Sequence, residues 1–464
     1  MPARVASLTA VNTPDPRSAD AIAAATAPDR DRWADTLRVG SLLVVMLGHW
    51  FMVALTPEGE ISNALKLIPA LQPATWLLQV MPVFFLVGGV AHAHTLESLA
   101  RKGVSGPGSY AAFLRGRAAR LLRPTLVFLG VWLLFGFAAH LLGWTRGPGS
   151  DGRLVSATLV MVPQLLWFIG IYLGIAAFAP AAYRWHQRWG LRALLVLVAL
   201  AALVDVVRFG LGVGIVGNLN FLLVWLALHQ CGFASRDGSL TTPVAVGLLG
   251  VGAVGLVLAV TRGPYPVSMV GLPGDEVSNM APPTAALLAQ GLALIGIAAL
   301  LRGPMGRVLA RPRVWRWVVL AGAFAMTAFL WHLTALLLVL LSARALRLGL
   351  PEVGTSLWWW TRPVWFAVLT VPTAALVAVF ARFDRGPKSV ETSAGSASPA
   401  ATRLADWRVG LGAFVTVFGV LMVSIAGVDL LGNNPQFFLV GMVTPWQCFA
   451  VLLAGLALLR LPLR

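Results

Sequence analysis

The chain has 464 residues, of which 58% are hydrophobic and 11% are charged. A soluble domain carries about 25% charged residues, so the composition excludes a water-soluble particle. The net charge of +17 resides in short loops between apolar blocks, which argues against a nucleic-acid partner. The apolar blocks are long enough to cross a hydrocarbon layer of ~30 Å, which predicts an all-α, polytopic bundle of transmembrane helices. The two cysteines, Cys231 and Cys448, form no metal motif, and no metal site is predicted.

In chain order, residues 1–34 lack an apolar core and predict a disordered cytoplasmic tail. About twelve candidate spans follow, at 36–56, 75–95, 123–143, 157–181, 192–209, 213–230, 243–261, 284–301, 317–342, 358–381, 409–428 and 437–459. The first ten form a membrane core over 35–381, in which the short fifth and sixth spans are either a tight hairpin or include a re-entrant segment. Residues 382–408 have the composition of a cytoplasmic linker, and the last two spans form a hairpin over 409–464.

The basic residues indicate the orientation of these spans. With the amino terminus inside, 27 of the 35 Lys and Arg residues lie on the inner side and eight on the outer side. This bias predicts that both termini are cytoplasmic (N-in, C-in). Because Arg greatly outnumbers Lys, we expect a bacterial source, and hence a multi-pass protein of the bacterial inner membrane.

Two histidines lie well inside predicted spans. His49 follows Arg38 by eleven residues, which places it about 16 Å deeper at the rise of an α-helix. His332 lies near the middle of the ninth span. A neutral imidazole at such depth can accept a proton from a hydroxyl, although a buried structural histidine would give the same pattern. The other five are expected to reach water and to have structural roles: His92, His94, His140, His186 and His229.

Asp205 is the only carboxylate well inside a span, and its spacing predicts a local pair with Arg208. In the second span, Pro82 predicts a kink, and Gly88 and Gly89 permit close approach of another helix or a ligand.

Three arginines spaced by three residues, Arg117, Arg120 and Arg123, share one helical face at the predicted inner boundary. Guanidinium groups bind phosphates bidentately, so this face suits either a phosphate-bearing ligand or anionic lipid headgroups.

Five short elements, in this order, resemble the acyltransferase-3 family of membrane acyltransferases over roughly 32–381. The first is an Asp-x-x-Arg start followed by a His, matched by Asp35, Arg38 and His49. The second is a Phe-Phe-x-x-Ser-Gly-like element, matched by Phe84, Phe85 and Gly89, with Gly88 where a Ser is usual. The others are an Arg-x-x-Arg before a Pro, read either as Arg117/Arg120 or as Arg120/Arg123; a Trp-Phe element at Trp167; and a late aromatic-Leu-x-His element ending at His332.

The resemblance implies transfer of an acyl group, often acetyl from acetyl-CoA, to a hydroxyl of a cell-envelope glycan, a lipid or a metabolite. Acyl-CoA is then a substrate, and no bound cofactor is implied. His49 is the predicted catalytic base, and the donor-binding residues are Arg38, Arg117, Arg120 and Arg123. Residues predicted to support the site or bind the acceptor are Asp35, Phe84, Phe85, Gly89, Trp167 and His332. The span pair at 409–459 is an addition to the ten-span core.

Two other classes of function fit a bundle of this kind. A transporter or flippase would need buried carboxylates as proton relays, and Asp205 is the only candidate. A non-catalytic membrane scaffold or sensor would leave the Arg38–His49 spacing and the arginine triplet unexplained. The acyltransferase interpretation accounts for all of these features.

Overall fold

The computed structural model describes residues 18–27, 29–55, 61–104, 106, 108–145, 150–384 and 399–460. The described chain is almost wholly helical. Its α-helices are α1 (Ala19–Ala24), α2 (Arg32–Met52), α3 (Ala64–Leu67), α4 (Thr75–Leu78), α5 (Met81–Arg101), α6 (Ser109–Leu141), α7 (Ser150–Met161), α8 (Leu166–Trp189), α9 (Leu191–Asp205), α10 (Asn220–Arg236), α11 (Thr242–Arg262), α12 (Ala285–Leu300), α13 (Arg302–Leu309), α14 (Pro312–Ala345), α15 (Ser356–Phe380), α16 (Pro399–Ala426) and α17 (Pro445–Leu459). Two short antiparallel hairpins join β1 (Val53–Leu55) to β2 (Ile61–Asn63), and β3 (Gln436–Phe438) to β4 (Gly441–Val443). The predicted all-α class is confirmed.

Each of the twelve predicted spans contains a helix. Nine helices in the described ranges are long and apolar enough to cross a membrane, or ten if α12 and α13, bent by 50°, form one span. The two predicted spans outside this set are α2, whose polar residues include Asp35, Arg38 and His49, and α17, which has only 15 residues. The helices therefore confirm a multi-pass membrane architecture. The count of twelve and the orientation stay predictions.

Helix also occurs in two segments predicted as tail and linker. The helix α1 lies within 1–34, where Ser18 caps it and the Trp315 indole donates to the Thr26 hydroxyl at 2.7 Å. The helix α16 begins at Pro399, within 382–408. Tertiary contacts give these segments order that their composition does not indicate. The remainder of both, 1–17 and 385–398, lies outside the described residues.

The helices α9 and α10 form the tight hairpin that was one of two predictions for this region. The Asn220 amide at the start of α10 donates to the Ala201 carbonyl at 3.3 Å and to Asp205 Oδ1 at 3.0 Å, both on α9. The two helices therefore lie side by side, joined by a turn in which Gly212 takes a positive φ of 72°.

Asp205 does not form the predicted local pair with Arg208. Besides Asn220, it accepts hydrogen bonds from the Tyr265 hydroxyl at 3.0 Å and from the Ala285 N–H at 2.6 Å. Burial and the neighbouring carboxylate raise the pKa of Tyr265, so its hydroxyl stays protonated and donates. Arg208 instead stacks on Phe209 at 4.6 Å. The prediction was wrong because three donors from other segments occupy the carboxylate.

The centre of the bundle is the contact between α5 and α10. A Cβ at Gly89 would collide with the main chain at His229 and Gly232, and a Cβ at Gly232 would collide with α5. Glycine at both positions lets the two backbones touch, as the sequence predicts for Gly89. The contact brings the polar residues of α5 close to those of α10.

The C-terminal helices α16 and α17 pack on the outside of this core, along α6 and α8. Asp406 of α16 accepts hydrogen bonds from the N–H groups of Gly108 at 2.7 Å and Ala111 at 2.8 Å, in the first turn of α6. Near the other end of α6, His140 lies 3.9 Å from Asp429. The added pair of helices therefore holds α6, the helix that carries the arginine triplet, at both ends.

Candidate active site

The two deep histidines lie in contact, although they are 283 residues apart. The helix α2 brings His49 and α14 brings His332 to a distance of 2.8 Å between Nδ1 of His49 and Nε2 of His332. Their rings are nearly coplanar, with an interplanar angle of 9°. His332 is fully buried. The structure thus unites two residues that the sequence placed only at similar depth.

The hydrogen bonds of His332 determine which nitrogen of His49 carries a proton. Nδ1 of His332 lies 2.6 Å from the main-chain carbonyl oxygen of Phe329, and a carbonyl can only accept. Nδ1 of a neutral His332 is therefore protonated, and its Nε2 accepts from Nδ1–H of His49. It follows that Nε2 of a neutral His49 bears the free lone pair, which is the form required of a general base.

Protein atoms do not cover Nε2 of His49 completely. His49 is surrounded by protein atoms, yet its side chain is only half-buried. Nε2 has no hydrogen-bond partner among the described residues, and it is not one of the polar atoms that protein atoms bury completely. A reacting group can therefore approach Nε2 without displacing a hydrogen-bonded protein group.

Tryptophans hold the helices that carry this pair. Trp50, next to His49, is buried and donates its indole N–H to the main-chain carbonyl of His332 at 3.1 Å. Trp365 of α15 donates in turn to the carbonyl of Trp50 at 2.9 Å. These bonds tie α2, α14 and α15 together at the depth of the histidine pair.

A series of ring contacts leads away from the pair through the bundle. Phe329 lies 5.8 Å from His332 and 5.6 Å from Phe168 between ring centroids. Phe168 contacts Tyr172 at 5.8 Å, and Phe84 contacts Tyr172 at 5.6 Å. Phe84 and Tyr172 are half-buried although they lie deep in the molecule. We call this line of contacting rings, with the histidine pair at one end and Tyr172 at the other, the aromatic passage.

Two further residues predicted for the site pack beside the passage. Trp167 is half-buried and lies 6.2 Å from Phe168. Phe85 is fully buried and stacks on Trp225 at 4.5 Å. Phe85 therefore supports the wall from behind and cannot touch a ligand.

Arginines lie at the other end of the passage. Arg117 donates to the Ala91 carbonyl of α5 at 2.8 Å and to the Thr95 hydroxyl. Arg38 pairs with Asp35 at 3.2 Å, as their spacing suggests. Arg38 is close enough to Arg117 for their charges to interact. Tyr172 is close enough to interact with both arginines.

The other two predicted arginines differ in exposure. Arg120 is exposed, lies within range of Arg117 and has no ion-pair partner among the described residues. Arg123 is half-buried, one turn farther along α6. Arg117 therefore lies close to both Arg38 and Arg120.

A family model described as an acyltransferase domain matches residues 31–382. The chain belongs to the acyltransferase-3 family. The match covers the predicted core and contains the histidine pair, the passage and the arginines, whereas α16 and α17 lie beyond it. Neither a search of curated proteins nor a search of solved structures finds a match.

A second histidine pair in this acyltransferase corrects the prediction that His92 and His229 reach water. Both are fully buried, and Nδ1 of His92 lies 2.9 Å from Nε2 of His229. His186 is also buried, between Gln230 at 2.9 Å and Asp237 at 2.9 Å. The prediction was wrong because depth along a span does not reveal which neighbouring helix covers a side chain.

Sequence reasoning overlooked Tyr172 in the acyltransferase-3 core. Its hydroxyl has no hydrogen-bond partner among the described residues, and a Cβ at Gly88 would lie 3.2 Å from that oxygen. Two signals were available, since the chain has only four tyrosines and this one follows the Trp-Phe element within two turns.

The described part of the enzyme contains no group of three or more His, Cys, Asp or Glu side chains that could hold a metal ion.

Proposed function

We propose that this membrane acyltransferase moves an acyl group, acetyl in the first instance, from cytoplasmic acyl-CoA to a hydroxyl group. The acceptor is a glycan or lipid of the cell envelope, or a metabolite, and the enzyme works in the inner membrane of a bacterial cell. The observation that carries the proposal is the free Nε2 of His49, whose protonation state follows from the bond between His332 and the Phe329 carbonyl.

His49 acts as the general base. Its Nε2 takes the proton of the acceptor hydroxyl while the hydroxyl oxygen attacks the thioester carbonyl carbon. The imidazolium formed keeps its Nδ1–H on Nε2 of His332, and a charge-assisted bond of this kind is stronger than a neutral one. When the C–S bond breaks, Nε2–H of His49 returns the proton to the leaving thiolate. One positioned base typically contributes 10²–10⁴-fold to the rate.

The arginine end suits the nucleotide part of the donor. Phosphates need several cationic donors, and Arg117 lies close enough to both Arg38 and Arg120 for their charges to interact. The donor then reaches His49 along the aromatic passage.

Transport by a carboxylate relay receives no support from Asp205, the one candidate in the spans. Three donors occupy its oxygens, two of them from the 265–285 segment. A carboxylate that ties segments together in this way has a structural role.

Transfer in vitro tests the proposal. Purified protein in lipid nanodiscs is incubated with radiolabelled acetyl-CoA and an envelope extract from a strain that lacks the gene, and labelled products are identified by mass. We expect His49→Ala to bind CoA normally but to lose transfer by at least about a hundredfold. His140→Ala, a histidine variant at the far end of α6, is the matched control and should transfer at the normal rate. Transfer by His49→Ala at close to the wild-type rate would contradict the mechanism.

A further inference from the structure

Tyr172 is the polar group of the aromatic passage that the proposed chemistry has not used. It lies on α8 between the two ends of the site, with its ring 5.5 Å from His92 and 5.8 Å from Phe168. Ala91, the residue before His92, binds Arg117, so the tyrosine lies beside the arginine end. The ring contacts through Phe329 connect it to the histidine end.

The Tyr172 hydroxyl has no hydrogen-bond partner among the described residues, although aromatic rings surround it. Its side chain is half-buried, and protein atoms do not cover the hydroxyl completely, so a ligand or water can reach it. An unpaired hydroxyl in an apolar environment is unfavourable unless a ligand or water satisfies it.

Gly88 provides the room beside this hydroxyl. A Cβ at position 88 would lie 2.9 Å from Cε2 and 3.2 Å from the hydroxyl oxygen of Tyr172. Any larger residue at 88 would crowd the phenol, so glycine keeps the hydroxyl accessible.

We infer, on the basis of the proposed acyl-CoA donor, that the Tyr172 hydroxyl is a binding residue for an amide of the donor's pantetheine arm. The phosphates bind at one end of the passage and the thioester reacts at the other, so the arm between them must lie along the rings. Its two amides lose water there and need partners, since a desolvated amide without a hydrogen bond is costly. A phenol hydroxyl can donate to the amide carbonyl or accept from its N–H.

The test separates the arm from the nucleotide. Binding is measured for two ligands, CoA and the adenosine bisphosphate that remains when the arm is absent. Tyr172→Phe removes only the hydroxyl and keeps the ring, so the bundle should fold. We expect it to weaken CoA binding about three- to thirtyfold and to leave binding of the bisphosphate unchanged.

Tyr183→Phe is the matched control. It also removes a hydroxyl from α8, but this hydroxyl lies away from the passage and donates to Glu97 at 3.2 Å. It should change neither affinity. Gly88→Ala, which crowds the phenol without removing its hydroxyl, should also weaken CoA more than the bisphosphate. Equal loss for both ligands in Tyr172→Phe, or no loss for CoA, would overturn the assignment of Tyr172. Failure of the wild-type protein to bind CoA would instead overturn the proposed donor, and with it this role.

Discussion

At the scale of single residues, the proposed chemistry depends on a main-chain carbonyl. The Phe329 oxygen holds the proton of His332 on Nδ1, and this directs the lone pair of His49 to Nε2. Any side chain at 329 offers the same carbonyl, so the orientation of the base does not depend on a third ionisable group. In a bilayer this avoids the cost of a buried charge.

Replacement of His332 tests this orientation. In His332→Ala, neutral His49 can carry its proton on either nitrogen, so we expect kcat to fall by about tenfold or more while KM for the donor stays unchanged. His332→Gln can accept from His49 and donate to Phe329, and should restore part of the rate. Thr334→Val on the same helix is the control, and equal kcat in all of these variants would remove His332 from the mechanism.

The exposed arginine gives a second prediction. A charge-assisted bond to a phosphate contributes about 1.5–3 kcal/mol, so Arg120→Ala should weaken acyl-CoA binding by about tenfold or more. Lys at 120 keeps the charge but not the bidentate geometry, so rescue should be partial. The measurement is equilibrium binding to the protein in nanodiscs, and normal affinity in Arg120→Ala would place the donor elsewhere.

The sequence predicted the depth of these residues but not their neighbours. Helical rise placed His49 deep in its span, because depth depends only on residue count. The partnership of His49 with His332, and that of His92 with His229, depends on the rotation of each helix, which packing decides. Tyr172 escaped notice for the same reason: its rarity and its place after the Trp-Phe element do not show which way the rotation of α8 turns its side chain.

At the scale of helices, Asp205 joins α9 to the start of α12. It accepts from the first N–H of α12 at Ala285 and from Tyr265 in the preceding loop. These bonds connect the α9–α10 hairpin to the loop before α12 and to the start of α12, although α11 lies between them in the chain. The sequence suggested only a local pair, because the partners at 265 and 285 are too distant for spacing to indicate them.

Replacement of Asp205 separates structure from transport. Asp205→Asn offers one acceptor oxygen in place of two, so we expect a lower melting temperature and an acyl-transfer rate per folded molecule close to normal. Loss of one charge-assisted bond costs about 1.5–3 kcal/mol. Asp275→Asn, at an exposed loop position, is the control. Full loss of function with an unchanged melting temperature would favour a proton relay.

The added helices α16 and α17 give another prediction at this scale. Asp406 caps the first turn of α6, and loss of such a cap costs about 0.5–2 kcal/mol. In Asp406→Asn, hydrogen exchange of the amides at 108–112 should therefore speed up, measured by mass spectrometry. Glu352→Gln, an exposed carboxylate elsewhere, should leave this exchange unchanged, and equal exchange in both variants would show that Asp406 does not hold α6.

At the scale of the whole molecule, the orientation can be checked with cysteine labels. Both native cysteines are buried, with no exposed surface, so their background should be low. Glu276→Cys and Arg188→Cys both lie at exposed positions, on the predicted outer and inner sides. A membrane-impermeant maleimide should label the first in intact cells and the second only after permeabilisation, and the reverse pattern would invert the topology.

The aromatic passage also bears on how a cell can tolerate such an enzyme. A membrane has to hold its proton gradient, and a water-filled path that ends at an ionisable group would let protons leak across. A constriction lined by apolar rings expels water and blocks conduction. Phe84, Phe168 and Phe329 are joined by ring contacts between the two ends of the passage, and apolar rings in this position oppose a continuous column of water. In this way the bundle can hold the proposed base inside the bilayer without giving protons a path across it.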